Sequence, residues 1–89
     1  MVNKEKLLQN LFNEHYQHLC FYAGKYIKDM DSVKDIVQEV FVKIWEQNIN
    51  VQNPIAIKSY LYTTVSNACI NYLKSTSIHN RHHDRIRQE

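Results

Sequence analysis

An all-α bundle of three to four helices is the fold class this sequence predicts, and three observations carry it. Apolar residues recur at three- and four-residue steps through most of the chain. Gly and Pro occur once each in 89 residues, too few for the tight turns of a sandwich or barrel. The composition, 44% hydrophobic and 22% charged, is that of a chain that can form a core. The length allows one domain, with or without a tail, and leaves no room for a separate catalytic module. A domain this small buries only about 60% of its unfolded surface, so buried polar groups are poorly tolerated.

The spacing predicts a first helix from about Lys4 to Lys28. Leu8, Phe12, His15, Leu19, Tyr22, Ala23, Tyr26 and Ile27 form its stripe, and a kink or break is expected near residues 14–18. Asp29-Met30-Asp31-Ser32 ends that helix and caps the next, with Ser32 and Asp35 approximating a capping box. The second helix, about Ser32 to Gln47, places Val33, Ile36, Val37, Val40, Phe41, Ile44 and Trp45 along one broad stripe. After the polar linker 48–53, Asn53 as N-cap and Pro54 at the first helical position open a third helix reaching about Ser75. Ser59 to Val65 is β-branched and aromatic and also reads as a strand. Helix is preferred because Ile57, Leu61, Val65, Ala68, Cys69 and Tyr72 continue one helical stripe past it. Residues 76–89 have little to bury and are expected to form a flexible tail or the start of a linker.

Several function classes fall away. No apolar run approaches the ~20 residues that span a bilayer, and the first residues show no signal-peptide pattern, so a cytoplasmic protein without membrane insertion is expected. Cys20 and Cys69 make no disulfide framework and are expected to be reduced, buried thiols. His15-x-x-His18-x-Cys20 and His79-x-x-His82-His83 fall short of a four-ligand zinc pattern, so neither a metal nor another cofactor is expected. The single glycine, Gly24, lies in a helix and forms no phosphate loop, and no nucleophile pairs with a His and an acid. The chain is not expected to be an enzyme. The aromatic set Phe12, Phe41, Trp45 and Tyr72 is assigned to the core.

Two helical faces are left over. On the second helix Asp35, Gln38, Glu39, Val42 and Glu46 share an arc of about 100° opposite the apolar stripe. This is either a solvated face or a docking surface where Val42 buries and the carboxylates accept hydrogen bonds from a basic partner. On the third helix Ser59, Tyr60, Thr63, Thr64, Asn67, Asn71 and Lys74 lie opposite the core stripe, with Lys58 near the start. No residue from Gln47 to His83 is acidic, although the whole chain carries only +2. Short hydroxyl and amide groups cost helix stability, but they can hydrogen-bond base edges and phosphates. The Tyr60 ring, expected to be exposed, can stack on an unpaired base.

Asp31-Ser32-Val33-Lys34-Asp35-Ile36-Val37-Gln38-Glu39-Val40-Phe41-Val42-Lys43-Ile44-Trp45 resembles region 2.2 of the extracytoplasmic-function sigma factors of the sigma-70 family. Ile57 to Lys74 resembles regions 2.3 and 2.4, and Leu11 to Ile27 resembles region 2.1. The resemblance divides residues 1–75 into region 2.1 (about 8–28), region 2.2 (about 31–47) and regions 2.3–2.4 (about 54–75). It implies a sigma region 2 bundle that docks on the β′ coiled coil of core RNA polymerase through Asp35, Gln38 and Glu39. It implies also that Lys58, Ser59, Tyr60, Thr63, Asn67, Asn71 and Lys74 recognise and open the −10 promoter element, holding a flipped base of the non-template strand. An anti-sigma factor is a plausible further partner. Position 60 is Tyr where the family often has Trp, and Lys74-Ser75-Thr76-Ser77 lacks the usual arginines, so affinity for DNA alone is expected to be low. Full-length members carry region 4, which reads the −35 element, and the resemblance, confined to region 2, leads to the expectation that this sequence is a region 2 domain excised from a longer protein. The residues themselves leave two other functions open: a stand-alone helical DNA-binding domain, and a protein-interaction bundle that touches no DNA.

Overall fold

The computed structural model describes the backbone of residues 3–88 and the side chains of residues 3–76. Its elements are α1 (Lys4–Ala23), α2 (Met30–Glu46) and α3 (Pro54–Gln88), and each helix packs against the other two. The all-α expectation holds, and the Ser59–Val65 segment is helical.

α1 begins where Asn3 Oδ1 accepts the Glu5 amide at 2.9 Å. It is unbroken through residues 14–18, so no break divides it there. It also stops earlier than expected. Amides of Lys25 and Tyr26 bond three residues back, to Tyr22 and Ala23, so the last turn tightens and brings Ile27 into the core.

The capping box expected at Ser32 and Asp35 is not formed. Asp29 takes the N-cap position with extended backbone, and Ser32 already lies in the first turn, its hydroxyl donating to Asp29 Oδ2 at 2.6 Å. At the other end of α2, Asn48 adopts a left-handed φ of 54° and the Ile49 amide reaches back to the Ile44 carbonyl at 3.2 Å. This is a Schellman-type stop in which Asn replaces the usual Gly. α3 opens as the sequence predicts: Asn53 Oδ1 accepts the amides of Ile55 and Ala56, each at 3.1 Å, and Pro54 follows. It does not end near Ser75. No Gly or Pro follows Pro54, and the backbone stays helical to Gln88.

The core is one apolar cluster built from all three helices, with Leu19, Val33, Val37, Ile44, Leu61, Val65 and Cys69 fully enclosed. Burial pushes the Cys69 thiol above its ordinary pKa, because the thiolate would lose its hydration. Cys20 is only half-buried, and both cysteines are free. Leu11 joins the core although it stands outside the predicted stripe, because α1 is covered on two sides, by α2 and by α3. Among the four core-assigned aromatics, Phe41 is buried and meets Phe12 edge-on at 5.0 Å, while Phe12 and Tyr72 are half-buried. Trp45 is a correction: it is 42% exposed. One residue past Ile44 turns it about 100° away from the core direction.

Between α1 and α3 the Tyr26 hydroxyl lies 3.3 Å from that of Tyr22 and 3.4 Å from Ser66 Oγ. The Ser66 contact lowers the Tyr26 pKa, and the Tyr26 contact raises that of Tyr22. No described helix is long and apolar enough to cross a membrane.

Candidate functional site

Three concavities lie where the helices meet, and they redistribute the two sequence-predicted faces. The first, about 470 Å³, separates α2 from α3. Asp35 and Glu39, with Lys43 one turn on, face Thr64, Asn67 and Asn71 across it. Helix geometry explains the set, since steps of four residues on each helix keep its members on one edge. Acceptors on one wall therefore stand opposite hydroxyl and amide groups on the other.

The second, about 770 Å³, lies between α1 and α2. Gln38, Val42 and Glu46 line it, not the first groove. Leu8, Phe12, Phe41 and Trp45 supply its apolar walls, and Glu5 faces it from α1. Val42 is 44% exposed, as expected of it. Gln38 Nε2 donates to the Tyr16 hydroxyl at 3.5 Å. The five-residue face of α2 is thus a ridge between two grooves, with Asp35 and Glu39 on the α3 side and Gln38, Val42 and Glu46 on the α1 side.

The third hollow, about 680 Å³, lies between α1, the 47–53 connection and the start of α3. Lys58 and Ser59 line it beside Glu14, His15, Val51 and Tyr62. The DNA-directed set is therefore not one surface. Lys58 and Ser59 belong to this hollow, Asn67 and Asn71 to the α2–α3 groove, and Thr63 and Lys74 are exposed on the ridge of α3. Tyr60 corrects an expectation: its ring is half-buried and packs against the core cluster, so only part of it is free to stack.

Sequence reasoning missed Trp45 and Lys4 as surface groups. Lys4 Nζ donates to the Trp45 carbonyl at 2.8 Å and to Asn48 Oδ1, and stands 4.5 Å from the centre of the Trp45 ring. No periodicity links positions 4 and 45, so nothing in the sequence signals that contact. The segment around His15, His18 and Cys20 holds no metal-like set: among the described residues no three His, Cys, Asp or Glu side chains gather around a common point. The side chains of His79, His82 and His83 lie outside the described residues.

Comparison with known proteins bears on the same helices. The family model for sigma-70 region 2 matches residues 11–79. The RNA polymerase sigma factor SigV of Bacillus subtilis (strain 168) is 34% identical over 68 residues, which are 76% of this chain and 41% of the relative. The RNA polymerase sigma factor YlaC of the same organism is 24% identical over 67 residues, 75% of this chain and 39% of that relative. The chain thus spans about two fifths of the length of the curated relatives it matches. No solved structure matches it. The region 2 match takes in the last turns of α1, all of α2 and the α3 segment that carries the polar face, and the chain belongs to the sigma-70 family, whose region 2 it carries.

Proposed function

We propose that this domain docks on core RNA polymerase through α2 and reads the −10 promoter element through α3. The observation that carries this is the α2–α3 groove, where Asp35 and Glu39 face Asn67 and Asn71. A basic helix of the polymerase, the β′ coiled coil of the family, would bring Arg or Lys to the two carboxylates. Its apolar residues would cover Val42 and Trp45 in the α1–α2 groove, with Gln38 and Glu46 at the rim. Docking would then end beside the residues that read DNA, so the strand and the polymerase meet along one edge of α3.

On the DNA side, Asn67 and Asn71 offer amide groups that can pair with base edges, while Lys58 and Lys74 suit phosphates. Ser59 and the hollow behind it offer room for a base turned out of the stack, with Tyr60 and Tyr62 as partial stacking surfaces. Thr63, exposed between these groups, can hydrogen-bond the backbone of the same non-template strand. An anti-sigma factor that covered the α2–α3 groove would block both activities, and one that covered the α1–α2 groove would block docking.

The test is binding of the 89-residue chain to purified core polymerase and to a single-stranded −10 oligonucleotide, each by fluorescence anisotropy. Binding to polymerase that is lost on Asp35→Lys with Glu39→Lys, together with preference for the −10 strand over a scrambled one, supports the assignment. Tight, salt-sensitive binding to random duplex DNA with no polymerase binding would replace it with a stand-alone DNA-binding domain.

A further inference from the structure

Lys4 opens α1, yet its ammonium group reaches the far end of α2. Three acceptors of different kinds converge on it: the Trp45 carbonyl, the Asn48 side-chain oxygen and the Trp45 ring face. Each such contact is weak at an exposed site. Their coincidence is not, because the Trp45 carbonyl belongs to the last turn of α2, where the helix dipole favours a cation. Asn48 is also the one non-glycine residue with positive φ among the described residues, so the contact holds the turn that ends α2.

From Asn48 the connection runs through Ile49 to Val51, and Val51 is a wall of the hollow that Lys58 and Ser59 line. At its other end the contact sits on Trp45, which lines the α1–α2 groove. We infer that Lys4 is a positioning residue. Its ammonium pins the Asn48 turn and through it the Val51 wall of the hollow, at the ring that a partner entering the α1–α2 groove must meet. The docking and reading assignments do not themselves require Lys4. The consequence for DNA rests on the function proposed above, whereas the consequence for the connection does not.

Two variants of the full chain separate the charge from the side-chain stem: Lys4→Met keeps the stem and Lys4→Arg keeps a cation. The first readout is amide hydrogen exchange at Ile49, which bonds to the Ile44 carbonyl, and at Gln52, which bonds to Asn50 Oδ1. In Lys4→Met both should exchange about fivefold faster, while core amides of α3 stay unchanged. Emission of Trp45, the single tryptophan, should shift to the red as its ring gains water. Lys4→Arg should return both readouts to the parent values. Affinity for the −10 single strand should fall about twofold to threefold in the Met variant and recover in the Arg variant.

Unchanged exchange at Ile49 in Lys4→Met, or equal acceleration in both variants, would overturn the positioning role. Faster exchange with unaltered DNA affinity would overturn the link to the hollow. If the parent chain binds no −10 strand, the reading function fails, and the exchange data still decide what Lys4 does.

Discussion

The two grooves that flank α2 are built from the same helix and differ in what faces it across the gap. On the α3 side, Asp35, Glu39 and Lys43 face Thr64, Asn67 and Asn71 in a groove that Ile36, Val40 and Ala68 also line. On the α1 side, Gln38, Val42 and Glu46 accompany Leu8, Phe12 and Trp45. A helical wheel puts all five α2 residues on one arc, and that arc is real. What it hides is that neighbouring helices divide the arc, so its members face different neighbours. One groove sets Asp35 and Glu39 against hydroxyl and amide groups, and the other is walled by the larger apolar side chains of Leu8, Phe12, Phe41 and Trp45. Substitutions on the two sides should therefore fail in different ways.

The largest effect is expected from Asp35→Lys combined with Glu39→Lys. Close interfacial charge pairs are worth about 2 kcal/mol or more, so affinity for core polymerase should fall at least about thirtyfold. Both side chains are exposed, so the thermal unfolding of the domain should hardly change. Because the same carboxylates face Asn67 and Asn71, affinity for the −10 strand should rise slightly as repulsion of phosphate is removed. A polymerase affinity that survives the reversal would take docking away from the polar groove.

Trp45→Ala comes next, at about tenfold in polymerase affinity, since a half-exposed aromatic at the edge of the proposed docking groove falls short of a fully buried hot spot. Salt dependence separates the two grooves. The loss from Trp45→Ala should be the same at low and high salt, whereas the loss from the charge reversal should shrink as salt rises. Identical salt behaviour for the two variants would mean that the grooves are not chemically distinct. Isothermal titration at two ionic strengths reads this directly.

Much of this was legible in the residues. The three helices, the Asn53-Pro54 start of α3, the α2 core stripe and the acid-free polar face follow from periodicity, capping and charge, all of which are local. What could not be read was lateral. Trp45 and Tyr60 exchanged their expected places, one exposed and the other packed on the core, because a wheel gives a direction but not the helix standing there. Leu11 entered the core for the same reason. The end of α3 was misplaced because loss of an apolar stripe is a weaker stop than Gly or Pro, and neither follows Pro54. Lys4 was invisible, since its partners are 41 and 44 positions away.

On α3 the expected effects are smaller. Asn67→Ala should lower affinity for the −10 strand about fivefold, toward the lower end for loss of a base contact, and leave polymerase docking alone. Its signature is selectivity: the loss should be greater on the −10 sequence than on a scrambled strand. An equal loss on both would make Asn67 a backbone contact.

Lys58→Ala should give the smallest loss, about twofold, and it asks whether the α1–α3 hollow borders the strand at all. Lys58 is exposed at the start of the second turn of α3, close to the helix N-terminus whose dipole already favours an anion, so removing one cation leaves part of the attraction in place. The affinity change is therefore a poor guide, and the salt slope is the better one. A lysine that neutralises one phosphate of a single strand contributes about 0.7 to the slope of log affinity against log salt. Lys58→Ala should lower the slope by about that amount on −10 and scrambled strands alike, while Asn67→Ala should leave it unchanged. Should the slope be unaffected by Lys58→Ala, the strand does not pass the hollow, and reading would be confined to the α2–α3 groove and the outer ridge of α3.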